Sequence, residues 1–301
     1  MKKTFPIIID CSFADINTDS ELIPINKKSV LGLSNTFEAG DWEYTKFYDF
    51  LLTNIAQTAL TKKERDDLFE EHGTLLRRAT EKLRLSEDDG EIGEICLYGI
   101  MRTYYNAISI VPKIFYKQNF NDPAKGADSV HIVIENDDDF SLWFGEAKFY
   151  NSIEDTRLYE IIESVHNSLE PEKIKKENSI ITNLNEINNN EEISETLKEK
   201  IYNKLNEFNS IDDIKPILHI PILLLYECEI TKTSKHFDDS YKQSITEYFK
   251  NRANSYFKKQ INKCRDIDMY SEVYFHLILF PVPDKQKIVS RFMEKTDALR
   301  R

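Results

Sequence analysis

Lys125-Gly126-Ala127-Asp128-Ser129-Val130-His131-Ile132-Val133-Ile134 and the answering stretch Leu142-Trp143-Phe144-Gly145-Glu146-Ala147-Lys148-Phe149-Tyr150 decide the fold. Both are rich in β-branched and aromatic residues, and the largely polar residues 135–140 between them supply a turn. That pattern predicts an antiparallel hairpin. Side chains alternate along a strand, so Glu146 and Lys148 share one face while Gly145 and Ala147 share the other. Two charged groups inside an apolar strand are costly to bury without partners. Asp128, on the facing strand, is expected to pair beside them, and a slip of one residue would turn it to the other side. The small Gly145 and Ala147 leave room for a helix or strand to approach closely from behind.

An acidic residue facing an acidic-x-Lys tripeptide is what metal-dependent phosphodiester cleavage needs. Two carboxylates suit Mg²⁺, which prefers hard oxygen ligands and keeps several waters. A metal there polarises the phosphate and lowers the pKa of a bound water, and a neighbouring lysine orients that water and offsets negative charge on phosphorus. The only other acidic-x-Lys, Asp213-Ile214-Lys215, precedes Pro216 with no strand before it to bring a second carboxylate. The competing reading of the hairpin is a structural Asp128–Lys148 ion pair, although buried pairs often add little net stability.

A third carboxylate comes from upstream. Residues 86–90 predict a cap, and the helix after it carries Glu91, Glu94, Tyr98, Met101 and Tyr105. Glu94 lies one turn from Tyr98 and two from Met101, within a largely apolar face. A carboxylate in that position is either paired or working. Glu91, a turn earlier, is nearer the exposed end and ranks below it.

Together these features resemble the PD-(D/E)xK nuclease core of restriction enzymes and Holliday-junction resolvases. More narrowly, Gly93-Glu94 on a helix, Lys125-Gly126-x-Asp128 and Gly145-Glu146-x-Lys148 resemble the HamA family, the nuclease subunits of Hachiman antiphage defence systems. The resemblance spans residues 90–165. It implies an α/β fold, a restriction-endonuclease-like core whose mixed sheet is flanked by helices. It implies Mg²⁺ (or Mn²⁺) held by Asp128, Glu146 and the Ala147 carbonyl, Lys148 orienting the nucleophile, and Glu94 assisting through metal or water. It also implies DNA as substrate and a HamB-like superfamily 2 helicase that restrains the nuclease until phage-associated or damaged DNA releases it. A catalytically silent nuclease-like scaffold, or a binding subunit of a nucleic-acid-processing complex, is the reading that competes with it.

The chain has 301 residues, 41% of them hydrophobic, enough to bury a substantial core. Its net charge of −12 argues against a broad basic nucleic-acid surface and for delivery of the substrate by another subunit. The cysteines Cys11, Cys96, Cys228 and Cys264 show no CxxC or Cys/His spacing, which points to a reduced cytoplasmic protein. The apolar run after Met1 is too short for a signal peptide, and no segment is long enough to span a membrane.

Residues 1–85 are expected to form an added N-terminal segment: a strand over 5–13, irregular chain to Gly40, a helix from Asp41, and a second helix over 61–85 opened by the Thr61-x-x-Glu64 capping box. Residues 86–301 are expected to hold the core. There, 108–117 reads as the first core strand, broken by Pro112, which favours an edge or a bulge, and 152–169 as an amphipathic helix. Residues 170–213, rich in Asn, Glu, Lys and Ile, read as a helical insertion or partly mobile arm with no catalytic signature. Residues 216–230 read as a fully buried central strand, 238–263 as a long basic helix, and 273–280 as a last strand before a C-terminal helix. His131 is expected to be packed core rather than a ligand. Lys125 in the loop before Asp128, and Arg252, Lys259 and Lys263 on one face of the basic helix, are the candidate phosphate contacts.

Overall fold

The computed structural model describes residues 3–84, 90–111, 114, 127–136, 139–183, 187–188, 193–206 and 208–300. The Ser-Glu-Asp-Asp cap expected at 86–89, and Lys113, Pro112, Lys117 and Lys125, lie outside the described residues.

One seven-stranded mixed sheet organises the chain. Its strands are β1 (Ile7–Ser12), β2 (Lys28–Leu33), β5 (Ile108–Val111), β6 (Ser129–Asn136), β7 (Asp139–Tyr150), β8 (Leu218–Glu227) and β9 (Tyr274–Val282), while β3 (Phe37–Glu38) and β4 (Asp41–Trp42) pair separately. The spatial order is β1-β2-β9-β8-β7-β6-β5. The middle four strands run parallel, and antiparallel pairs close both edges, β5-β6-β7 on one side and β1-β2 on the other. A parallel centre needs cover on both faces. β8 shows it: Ile220 through Tyr226 are all buried, and β7 and β9 flank the strand. The strand expected at 216–230 is present but shorter, running Leu218–Glu227 between a 3₁₀ turn and a helix that begins at Glu229, and the antiparallel hairpin with parallel strands beyond it is present.

Alternation along β7 separates two cores. Leu142 and Phe144 face a core shared with α6 (Leu158–Ser168), α7 (Pro171–Asn183), α8 (Glu195–Lys204) and the long α10 (Asp239–Cys264). Trp143, Ala147 and Phe149 face the other, shared with α2 (Tyr44–Ala59), α4 (His72–Glu81), α5 (Gly90–Tyr104) and α11 (Lys285–Arg300). Three further short helices are α1 (Phe13–Ile16), α3 (Lys62–Asp67) and α9 (Glu229–Thr233). The fold is thus α/β, a mixed sheet between two helical layers.

The N-terminal region differs from its reading as irregular chain. Lys28–Leu33 is a sheet strand, parallel to β9. The pattern is hard to see because Gly32 interrupts it. Gly32 is required there, since a Cβ would lie 2.3 Å from the Phe249 ring of α10. The first helix begins at Tyr44 rather than Asp41, whose residue pairs in β4. The capping box at Thr61 and Glu64 forms as expected, but the helix it opens ends at Asp67 and a new one starts at His72. The helix expected from 152 starts at Leu158.

Three imidazoles lie on the α5 side of the sheet. His131 meets the Tyr98 ring edge-on at 4.7 Å. His276 stacks on Trp143 at 4.4 Å and His219 on Tyr274 at 4.3 Å. His219 Nδ1 and His276 Nε2 share a hydrogen bond of 2.9 Å, and Ser29 Oγ is 2.8 Å from His276 Nδ1. Burial pushes His131 and His219 down to about 3, with Lys27 adding to the shift at His219, and holds His276 well below 6.5. These rings are neutral in the fold and protonate in the unfolded chain, so their stabilisation is complete above pH 6.5 and falls as pH drops towards 3. The melting temperature should therefore be flat above pH 7 and fall between pH 6.5 and 5, before the bulk of the carboxylates titrate. A flat profile down to pH 5, followed by calorimetry, would show the rings charged in the native state.

Candidate active site

β6 begins at Ser129, paired with Gly145, and Asp128 sits one residue before the ladder, in a bend beside Glu146. The Asp128 N–H donates to the Gly145 carbonyl at 2.8 Å. Ala147 N–H, two residues on and facing the same edge of β7, donates at 3.0 Å to Asp128 Oδ2. The aspartate side chain thus takes the ladder position that the backbone of β6 has left. Within a strand the N–H and C=O of one residue face the same edge. The Ala147 carbonyl therefore also faces the end of β6. This places the Asp128 carboxylate near the plane of the sheet, beside the next rung of β7.

Glu146 is only 4% exposed, and Ser164 Oγ of α6 donates to its Oε2 at 2.6 Å. Behind it lies a cavity of about 120 Å³ lined by Ala127, Phe144, Glu146, Ser164, Lys173 and Glu177. Glu177, from α7 and 2% exposed, accepts the Ala127 N–H at 3.0 Å. Ser164 and Glu177 carry no signal in an acidic-x-Lys pattern. Glu177 has a signal of another kind, because Ile174, Glu177 and Ile181 fall at i, i+3 and i+7 on one helix face, the same pattern that singles out Glu94.

On the opposite face α5 comes close, as the small residues of β7 allow. A Cβ at Gly145 would lie 2.8 Å from Leu97 and 2.2 Å from Ser129 Oγ, and one at Gly93 would lie 3.6 Å from the Ala147 Cβ. Gly93 above Ala147 and Leu97 above Gly145 set the helix running antiparallel to β7, along β6. Tyr98 lies against His131. Glu94 is one turn earlier, about 5.4 Å along the axis, which is between one and two strand residues at about 3.3 Å each. Glu94, 6% exposed, therefore lies over the start of β6, where Asp128 is.

Lys148 shares the Glu146 face and is partly exposed. Among the described residues it forms no ion pair, so the structural Asp128–Lys148 bridge is not made. The other acidic-x-Lys lies in 3₁₀ turns, with Lys215 buried and donating to the Asp268 carbonyl at 2.7 Å. Among the described residues no three acidic, histidine or cysteine side chains gather as a metal cage of their own. Asp128, Glu146 and a backbone carbonyl would make a sparser donor set, of the kind that suits an ion retaining water.

The cations of α10 are committed elsewhere. Arg252 and Lys259 reach Asp155 at 3.1 and 3.6 Å, and Lys263 reaches Glu163 at 2.8 Å. They tie α10 to α6 and the segment leading into it. Lys125 lies outside the described residues.

The family profile for HamA matches residues 11–296. The chain belongs to the HamA family. That family is part of Hachiman antiphage defence, a multi-component system, and the chain is accordingly a component of antiviral defence. No curated protein matched it in a sequence search. The HamA match covers both helical layers as well as the hairpin, so β2 and the insertion helices fall within the matched region. No helix of the described residues is long and apolar enough to cross a membrane.

The tight seat of α5 on β7 gives a paired test. Gly145→Ala must displace fully buried Leu97 and Ser129, and overpacking of this kind costs about 1–3 kcal/mol. Gly93→Ala meets only ordinary contacts and gains helix propensity of up to about 1 kcal/mol. Urea melts should show the first variant destabilised and the second equal to or above the parent chain. Equal midpoints for both would contradict the packing described.

Proposed function

We propose that the chain is a metal-dependent nuclease of PD-(D/E)xK type, cleaving DNA as the effector of a helicase-coupled antiphage system. The observation that carries this reading is the Asp128 carboxylate bonded to Ala147 N–H at 3.0 Å, which sets it beside Glu146 at the point where β6 leaves β7. Support comes from Lys148, which makes no ion pair among the described residues. Further support is the placement of Glu94 over the same point from α5.

Asp128 and Glu146 would hold Mg²⁺, or Mn²⁺ in its place, with the Ala147 carbonyl as a third oxygen. Bound there, the ion supplies Lewis acidity towards the phosphodiester and a water of lowered pKa. The remaining work belongs to the chain. Ser164 fixes the rotamer of Glu146 by its hydrogen bond at 2.6 Å. Lys148 orients the attacking water and its ammonium offsets charge gathering on the phosphate oxygens. Glu94 holds water on the α5 side of the same gap and receives a proton from it. Burial of Glu94 and Glu146 keeps their surroundings poor in solvent, which strengthens each of these interactions.

With a net charge of −12, and with Arg252, Lys259 and Lys263 each in an ion pair, the candidate phosphate contacts among the described residues are already engaged. A HamB-like superfamily 2 helicase that grips DNA and presents it to the site accounts for this. Plasmid cleavage in Mg²⁺ with the helicase present should be abolished by chelator and reduced at least about 100-fold in Asp128→Asn, Glu146→Gln and Lys148→Ala, with Glu94→Gln weaker but impaired. Melting temperatures should stay near that of the parent. Cleavage that survives both chelator and the Glu146 substitution would leave a scaffold role as the better account.

A further inference from the structure

We propose that Glu177, on the insertion helix α7, is a positioning residue for Asp128, and that through it the insertion sets whether the metal site is assembled. The inference rests on the nuclease reading above and deepens it. Glu177 Oε1 accepts the N–H of Ala127, the residue directly before Asp128, at 3.0 Å. Asp128 is outside the ladder of β6, so the regular pairing of the sheet does not fix its backbone; its own N–H bond to Gly145 and the Glu177 bond one residue earlier do. With Ala127 held, the Asp128 carboxylate can span to Ala147 N–H.

α7 is well placed to transmit force. Ile174 and Ile181, on either side of Glu177 along one face, are fully buried in the core of the α6 side. The helix packs against both α6 and β5. α6 ends at Ser168 and α7 starts at Pro171, so a short link joins the two helices. The pair holds both proposed metal carboxylates, Glu146 through Ser164 and Asp128 through Glu177, and both of these partner side chains line the cavity of about 120 Å³. A partner that shifts α7 by a fraction of a turn would break the Ala127 bond and release Asp128. The general consequence of losing such an outer partner is about 10–100-fold in metal affinity or activity.

Two substitutions separate position from charge. Glu177→Gln keeps an acceptor at the same reach without the charge, and Glu177→Asp keeps the charge but draws the acceptor back by one methylene. The full-length chain is titrated with Mn²⁺ alone, read by electron paramagnetic resonance, and with Mg²⁺ in plasmid cleavage in the presence of the helicase. Glu177→Gln should stay within about threefold of the parent in both, while Glu177→Asp should need at least about tenfold more metal for half-saturation. Glu177→Ala should behave as Glu177→Asp, and if it fails to fold the other pair still decides. Parent-like metal dependence in Glu177→Asp, or loss in Glu177→Gln with retention in Glu177→Asp, overturns the positioning role alone. A parent chain that neither binds Mn²⁺ nor cleaves overturns it together with the nuclease reading.

Discussion

A strand that bends out of its sheet leaves the next N–H of its neighbour without a backbone partner, and a buried N–H must be satisfied. At the start of β6 that N–H is Ala147's, and the carboxylate of Asp128 takes it. The bond ties an acidic side chain to the end of a ladder rather than to either face of the sheet. Glu146 faces α6 and Glu94 belongs to α5, on the other side. A carboxylate near the sheet plane lies between the two faces. On the proposed reading, that position lets one ion take ligands that strand alternation would otherwise separate.

The close seat of α5 follows from the same geometry. Glu94 can reach over the start of β6 only because Gly145 lets Leu97 down onto the strand. The glycine next to the acidic residue of the acidic-x-Lys tripeptide is thus a packing requirement. On the other face, a serine and a second glutamate fix the carboxylate and the backbone. The sheet holds the strands; the helices set the angles of the side chains.

The residue pattern made much of this legible. β7 and β8 announce themselves through composition, and alternation along β7 assigns Trp143, Ala147 and Phe149 to one core and Leu142 and Phe144 to the other. The hairpin register matters to the site, because a slip of one residue would turn Asp128 to the other side of the strand. What stayed hidden depended on contacts distant in sequence. β2 is short and broken by Gly32, whose purpose is visible only once Phe249 of α10 is packed on it. The α10 face of Arg252, Lys259 and Lys263 reads as a cationic strip in one dimension, and Asp155 and Glu163 neutralise it in three. Glu177 has the same apolar-face spacing as Glu94, but it is one carboxylate among many in an insertion rich in Glu, Asn and Lys.

The two helical layers treat the site differently. α5 is held by a face of Ile92, Ile95, Leu97 and Ile100, all fully buried, and packs on α2 and β7. Moving it would open a core, at the cost of several large apolar side chains. α7 is anchored to the sheet side by Ile174 and Ile181, and its polar residues carry the hydrogen bond at Ala127. Of the two, α7 is the element that can shift with the smaller loss of buried area. An effector kept silent until it is needed is best controlled where displacement is cheap and its effect on the ligand set is large. On the proposed reading, that place is the contact between the insertion and the residue before Asp128.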